Sequence, residues 1–275
     1  MTANGSRAGT SPHVPADLTG VWSREIITTP GGQRDETTRV LWLQTRSWYA
    51  DLRVPADRPS GRGGRGFVDF SDAELVQLAA VQGFAGELAA TGDVCLWRRD
   101  LDQQPAAGPP DEARYTVNDA VMVEDGLHVE YQEIWRREPK SQAPLAAFRL
   151  TGDPLRRAGL LVVAGDHFLA FVDRTTPLGE ASSLADLVQA ELVLGRRERA
   201  EAMLSTNICY GRIANGWSVH LANLPWLEGS SFWTHPVAWS PTGGVLESGE
   251  QTWTLLDAST SVVELGRTLA PTGVS

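Results

Sequence analysis

The chain has 275 residues, of which 42% are hydrophobic and 21% are charged, a composition typical of globular proteins. Its net charge is −10 and Lys140 is its single lysine. Its arginines are scattered or paired with acids, apart from Arg58, Arg62 and Arg65 in one Gly-rich segment that is expected to be solvated surface. We therefore predict neither a DNA nor an RNA partner. Because the sequence contains no run of 18 apolar residues, we predict no membrane partner.

The segment from Met1 to Pro15 is rich in Gly, Ser, Thr and Pro, and it lacks the apolar stretch of a signal peptide. We predict a disordered tail over residues 1–15 and a cytoplasmic protein. Two cysteines, Cys95 and Cys209, are too few for a disulfide framework. They are expected to be free thiols in a reducing compartment.

Period-two alternation rich in Val, Ile, Thr, Trp and Tyr dominates the rest of the chain and predicts β-strands. The predicted strands cover residues 20–28, 39–45, 48–54, 93–98, 114–124, 127–136, 146–150, 159–164 and 167–173. Gly126 joins two of them as a hairpin in which it is expected to take a positive φ. Further hairpins are predicted within 207–220 and 252–265.

Two helices are predicted. Ser71 can cap the first in a reciprocal pair with Glu74, and this helix ends near Gly83. The second runs from about Ser183 to Leu204. Antiparallel strands with few helices and no βαβ pattern predict a mostly β protein built as a barrel or a sandwich. A polar, Pro-punctuated stretch near 140–150 divides it into a β domain over 16–140 and a second one, with the long helix, over 145–275.

Motifs for phosphate loops, dinucleotide binding, zinc proteases and α/β-hydrolases are absent from the sequence. The five histidines lack metal-ligand spacing, so neither a cofactor nor a metal site is predicted. Ten tryptophans fall mostly on or beside the predicted strands. They are compatible with a packed core and with the wall of a binding pocket.

The first candidate site is the strand 48–54, whose alternation places Tyr49, Asp51 and Arg53 on one face. Asp51 and Arg53 can neutralise each other and orient a ligand inside a barrel. They can equally form a salt-bridged face turned towards solvent. Both readings remain open at the level of sequence.

The second candidate site places Glu133 on the same strand face as Tyr131 and Trp135. If that face is interior, Glu133 is a buried acid suited to general acid or base chemistry. The structural alternative is a buried ion pair with an arginine such as Arg53 or Arg98.

His167 is a third candidate because it heads an apolar strand directly after Asp166. It would serve in proton transfer, or it is a core or rim histidine whose hydrogen bonds are satisfied.

Several segments together resemble the yeast Hri1 protein family in order and spacing over residues 18–175. They are Trp42-Leu43-Gln44-Thr45, Tyr49-Ala50-Asp51-Leu52-Arg53-Val54-Pro55, Gly92-Asp93-Val94-Cys95, Glu130-Tyr131-Gln132-Glu133-Ile134-Trp135 and Gly159-Leu160-Leu161-Val162-Val163-Ala164-Gly165. The resemblance implies two lipocalin-like (calycin) antiparallel β-barrel domains with a few helices. It supplies no catalytic residues.

Two functions are expected from these features. The first is a small-molecule-binding barrel for a small apolar or aromatic compound, in its specific form a cofactor-independent lyase, dehydratase or isomerase. Its catalytic residues would be Glu133, His167 and Arg53, and its ligand-binding residues Tyr49, Asp51, Trp97, Tyr131 and Trp135. The alternative is a non-catalytic protein-interaction or scaffold module whose tryptophans are core. Convergence of Asp51, Arg53, Glu133 and His167 on one cavity would favour the first.

Overall fold

The computed structural model describes residues 14–61, 64–106 and 108–269, with Asn215 described only through its backbone. The predicted tail over 1–15 lies outside this part of the chain except for Val14 and Pro15. Val14 is buried, and its amide donates a hydrogen bond to the Arg46 carbonyl at 2.8 Å. A removable tail would therefore have to end before residue 14.

The first sheet is an antiparallel barrel. Its strands are β1 (Gly20–Thr29), β2 (Gln33–Asp35), β3 (Arg39–Gln44), β4 (Trp48–Val54), β5 (Gln82–Thr91), β6 (Val94–Asp102), β7 (Asp111–Asn118), β8 (Val121–Gly126) and β9 (Gln132–Arg137). Because β9 pairs back onto β1, the strands β1 and β3 to β9 close into an eight-stranded barrel, and β2 extends the β1 edge. Closure leaves these eight strands without a free edge.

The second sheet curls into a half-barrel. Its strands are β10 (Leu145–Gly152), β11 (Gly159–Ala164), β12 (His167–Val172), β13 (Asn207–Arg212), β14 (Ser218–Ala222), β15 (Val237–Ser240), β16 (Val245–Ser248) and β17 (Gln251–Ala258). Their order is β14-β13-β12-β11-β10-β17-β16-β15, and within the described residues β14 and β15 do not pair with each other. The prediction of a mostly β protein with barrel architecture is confirmed, the second barrel being open.

The helices are α1 (Asp72–Leu78), α2 (Leu184–Val193), α3 (Arg197–Leu204), α4 (Ala214–Trp217) and α5 (Val262–Leu269). Ser71 and Glu74 form the predicted capping box of α1. The predicted long helix is two helices, because the chain turns at Gly195 with φ +70°. The predicted hairpin within 252–265 is wrong: α5 follows β17, which pairs with β10 and β16 instead.

The predicted strand over 114–124 is two strands, β7 and β8, joined by a turn in which Asp119 has φ +53°. Gly126 ends β8 without a positive φ, contrary to the prediction. A Cβ at Gly126 would lie 2.2 Å from the Val129 carbonyl oxygen and 2.5 Å from Cε1 of Tyr131. Glycine is needed here because the following loop folds tightly back and brings the Tyr131 ring against the strand.

The two sheets pack against each other through the outer face of β3, β4 and β5 and one face of β11, β12 and β13. Alternation along β4 therefore separates two roles, with Ala50 and Leu52 in the inter-sheet core and Asp51 inside the barrel. Cys95 and Cys209 are buried and free, as predicted. Burial raises the pKa of both thiols.

Candidate functional site

The interior of the first barrel begins with a layer of tryptophans. Cross-strand register places Trp22 opposite Trp42, and Trp42 opposite Asp51 on the next strand. The ring centroid of Trp42 lies 6.3 Å from Trp22, 5.8 Å from Trp97 and 5.9 Å from Trp135. These offset and edge-on arrangements are the ones that aromatic rings favour. The layer forms the apolar floor of the site.

A layer of charges follows above the tryptophans. Asp51 Oδ1 accepts a hydrogen bond from Arg53 Nε at 2.9 Å, and Glu133 Oε1 accepts one from Arg24 Nη1 at 2.7 Å. Arg53 Nη1 lies 3.9 Å from the same Glu133 oxygen. Arg24 also contacts Asp35 at 3.2 Å. Glu133 is therefore a buried member of an ion-pair network, as the structural alternative for this residue expected, with Arg24 as its main partner.

Glu124 is the buried acid of this layer that has no arginine partner among the described residues. It lies directly opposite Glu133 across the β8–β9 ladder, where two like charges repel. Its single hydrogen bond comes from the Tyr131 hydroxyl, at 2.8 Å to Oε1. Burial and the neighbouring Glu133 raise the pKa of Glu124 well above its ordinary value.

Two neighbouring spaces lie at the charged layer. An inner void of about 10 Å³ is lined by Trp42, Asp51, Arg53, Phe84, Trp97, Asp111, Glu124 and Trp135. An outer pocket of about 700 Å³ is bordered by Arg99, Val129 and Tyr131, among others, and shares Trp97 and Asp111 with the void. The two spaces therefore lie next to each other, and we call the pair the funnel.

Arg99 stands at the entrance of the funnel. Its guanidinium lies 3.7 Å from the centre of the Phe84 ring and donates to Asp102 at 2.9 Å and to Asp111 at 2.6 Å. Although burial opposes the charge, these two acids raise the pKa of Arg99. Arg99 is thus held as a permanent cation between the outer pocket and the inner void.

Several groups around the void carry unusual protonation properties or unmet hydrogen-bonding capacity. Burial raises the pKa of Asp51 despite its contact with Arg53. It also raises the pKa of Tyr49 and of Tyr131, the latter further through Glu124. The Nε1 of Trp135, a residue 2% exposed, has no hydrogen-bond partner among the described residues. Buried polar groups are usually paired, so a cluster of this kind is typical of a binding site.

The structure brings seven of the eight predicted site residues into the first barrel, which are Arg53, Glu133, Tyr49, Asp51, Trp97, Tyr131 and Trp135. The eighth, His167, lies in the second sheet. It begins β12 on the face that carries Leu169 and Phe171, which pack towards the first barrel. Of the four residues expected to converge on one cavity, Asp51 and Arg53 line the inner void, Glu133 lies behind them at 3.9 Å from Arg53, and His167 lies elsewhere.

His167 has its own partners at the edge of the inter-sheet contact. Its Nδ1 lies 2.7 Å from the Tyr210 hydroxyl, and its Nε2 lies 3.1 Å from Arg212 Nη1. Because arginine can only donate, Nε2 is an acceptor and the imidazole is neutral. Asp166, which the sequence suggested as its partner, instead pairs with Arg212 at 2.9 Å.

We expect His167 to make the protein less stable in acid. Burial and Arg212 lower its pKa to about 4, from 6.5 in the unfolded chain. Between these pH values the unfolded chain binds an extra proton, so the free energy of unfolding falls as pH drops through this window. Chemical denaturation at pH 7 and pH 4.5 should show that the free energy of unfolding decreases more between these pH values for the wild type than for His167→Gln. Equal losses would contradict the assignment.

Six contributors to the site were missed by sequence reasoning, namely Arg24, Trp42, Phe84, Arg99, Asp111 and Glu124. Alternation offered a signal for one of them. Met122 and Glu124 are buried while Val121 and Val123 are half-buried, a period-two pattern. The Asn118-Asp119 pair is a turn signal that would have put Glu124 in the middle of a strand.

No group of three or more His, Cys, Asp or Glu residues in the described part of the chain is arranged to hold a metal ion. None of the helices described is both long and apolar enough to cross a membrane.

No protein-family model and no curated protein matches the sequence. Among solved structures, the chain is similar to that of "uncharacterized protein YLR301w" from Saccharomyces cerevisiae, with a TM-score of 0.53 and 12% identity. The match covers 88% of this chain and 99% of the yeast chain. Similarity at this identity shows the fold alone. It supports the barrel-fold relationship that the resemblance implied, without showing membership of a named family by sequence.

Proposed function

We propose that the first barrel binds a small molecule, with the body of the ligand in the outer pocket and a polar head at the inner void. The observation that carries the proposal is the group of buried polar side chains around one void. Asp51 and Glu124 line it, and each carboxylate accepts one side-chain hydrogen bond from the described residues, while Trp135 Nε1 has no partner among them. A small apolar or aromatic body would contact Trp97, Val129 and Tyr131 in the outer pocket.

The chemistry available at this site is acid–base chemistry without a cofactor. Glu124, whose raised pKa favours the neutral form, would act as a proton donor, and Arg53 would stabilise a developing negative charge. Glu133, held by Arg24, would position Arg53 instead of transferring a proton itself. These roles suit a lyase, dehydratase or isomerase acting on a small compound, the specific form of the function that the sequence suggests.

A pure scaffold role explains this interior less well. Burying charges costs several kcal/mol per ion, and apolar side chains of similar volume are often at least as stabilising. The second sheet has an interior without buried charges at its tryptophans, because Trp217, Trp233 and Trp253 pack there with Phe168 and Leu265, although the Nε1 atoms of Trp233 and Trp253 also lack a partner among the described residues. The polar interior of the first barrel therefore favours ligand binding over a scaffold.

Blocking the mouth of the barrel tests the proposal. Val129 is 56% exposed and lines the outer pocket, so Val129→Trp should fill the pocket without disturbing the core. Compounds found to raise the melting temperature of the wild type are expected to lose at least about tenfold in affinity for this variant.

The matched control is Leu155→Trp, because Leu155 is 61% exposed on a loop of the second sheet. This variant should bind as the wild type does. Unchanged affinity for Val129→Trp, or equal losses in both variants, would contradict binding in the first barrel.

A further inference from the structure

We infer that the ligand of the first barrel carries a primary ammonium group and that this group enters the inner void next to Glu124. The inference rests on the proposed function and adds the chemical class of the ligand. It is carried by charge, by the aromatic walls and by the size of the void.

Acidic groups outnumber cations around the void. Asp51, Asp111 and Glu124 line it together with one arginine, Arg53, which is engaged by Asp51 at 2.9 Å. The two arginines behind this lining are also occupied. Arg24 pairs with Glu133 and Asp35, and Arg99 pairs with Asp102 and Asp111. Six acids therefore share three arginines here, and one of the acids has no arginine partner among the described residues.

Glu124 is the acid that has no arginine partner among the described residues. The residue is 4% exposed, and the charged or titratable groups that face it are Glu133 from β9, Asp111 from β7, Arg53 from β4 and the Tyr131 hydroxyl. A buried carboxylate without a cation is costly and takes up a proton. An ammonium ion at the void would replace that proton and complete the network.

Aromatic rings provide the second, independent feature. Trp42, Trp97 and Trp135 line the void, and tryptophan faces attract cations more strongly than other rings do. The Phe84 ring already carries Arg99 at 3.7 Å and Arg53 at 5.0 Å. Among the described residues, no arginine lies over the ring of Trp42, Trp97 or Trp135.

The size of the void restricts the head group. About 10 Å³ is close to the space that one water molecule needs, and a primary ammonium group has a similar size. A trimethylated ammonium group would not enter. An uncharged hydroxyl head of similar size is the competing class.

Three probes with the same aromatic body separate these classes. We expect 2-phenylethylamine to bind the wild type at pH 7.5 at least about tenfold more tightly than 2-phenylethanol, since hydrogen bonds to charged groups are the stronger ones. The N,N,N-trimethylated amine should bind no better than the alcohol. Titration calorimetry in two buffers of different ionisation enthalpy should show proton release with the primary amine alone.

Glu124→Gln tests the residue itself, because glutamine keeps the shape and can still accept the hydrogen bond from Tyr131. The variant should bind the amine and the alcohol within about threefold of each other and release no proton, because the charge-assisted contact is gone. The control Glu247→Gln removes the same charge from an exposed position of β16 and should retain the preference for the amine.

The outcomes separate this inference from the proposed function. Equal affinities for amine and alcohol that both fall in Val129→Trp would overturn the ammonium group and leave the barrel site standing. If the trimethylated probe bound most tightly of the three, the claim that a primary ammonium group enters the void would be overturned. Failure of all three probes to bind would overturn the inference, while the barrel site is judged separately by the compounds that stabilise the wild type.

Discussion

Replacing Glu133 by glutamine is expected to lower the free energy of unfolding by about 3 kcal/mol or more, as removal of one partner from a buried ion pair does. Arg24, whose side chain is 5% exposed, would keep only Asp35 as a partner, and Arg53 would lose its second acid. Chemical denaturation of wild type and variant measures the difference. Ligand affinity per folded molecule should change little if Glu133 only positions the arginines.

Glu25→Gln is the matched control for this substitution. Glu25 also pairs with an arginine, Arg136, but both side chains are about half exposed, so stability should hardly change. A stable Glu133→Gln protein that loses roughly 100-fold in ligand binding or turnover would contradict the account, because this is the pattern of a general acid or base.

Replacing Trp42 by alanine is expected to cost about 3–5 kcal/mol in the free energy of unfolding. The residue is 2% exposed and contacts three other indoles, and its Nε1 donates to Gln44 at 3.2 Å. The cavity left behind would lie at the floor of the funnel, where the surrounding strands are fixed by barrel closure and cannot collapse into it.

Trp48→Ala provides the comparison within the same barrel. Trp48 begins β4 on the opposite face, is half-buried, and contacts Arg149 of the second sheet. Trp48→Ala should lower the free energy of unfolding by less than half as much as Trp42→Ala does, because Trp48 buries less surface. Equal losses measured by denaturation would mean that the layer of tryptophans is not the core of the first barrel.

Local alternation was sufficient to predict much of this interior. In β4 it placed Tyr49, Asp51 and Arg53 on one face, and the structure puts that face inside the barrel. The same period placed Glu133 and Trp135 together, but Tyr131, predicted on the same strand face, lies in the loop before β9, because the strand begins at Gln132 and not at Leu127. These predictions succeed because the side-chain direction in a strand depends on its own backbone alone.

Strand β5 could not be predicted in this way. Its sequence, Gln82–Thr91, contains two glycines and three alanines and has little β propensity. Close approach of the neighbouring strand explains this composition, because a Cβ at Gly86 would lie 2.0 Å from the Arg98 carbonyl oxygen. The strand forms because the barrel closes around it. The same pairing with its neighbouring strands places Phe84 in the site.

The partners of the buried charged residues could not be predicted from the sequence either. Arg24 and Glu133 are 109 residues apart and meet because β9 returns to β1, a pairing that sequence separation conceals. Arg98, suggested as a partner for Glu133, is exposed on the outside of β6. For His167 the strand itself was predicted correctly. The order of the strands in the second sheet, however, places this residue at the contact between the two sheets.

Native mass spectrometry of the purified full-length protein tests binding inside the first barrel most directly. The account predicts a retained small molecule, seen as a mass excess in the wild type and in Leu155→Trp but lost in Val129→Trp. An excess that persists in Val129→Trp, or no excess in any of the three proteins, would contradict it.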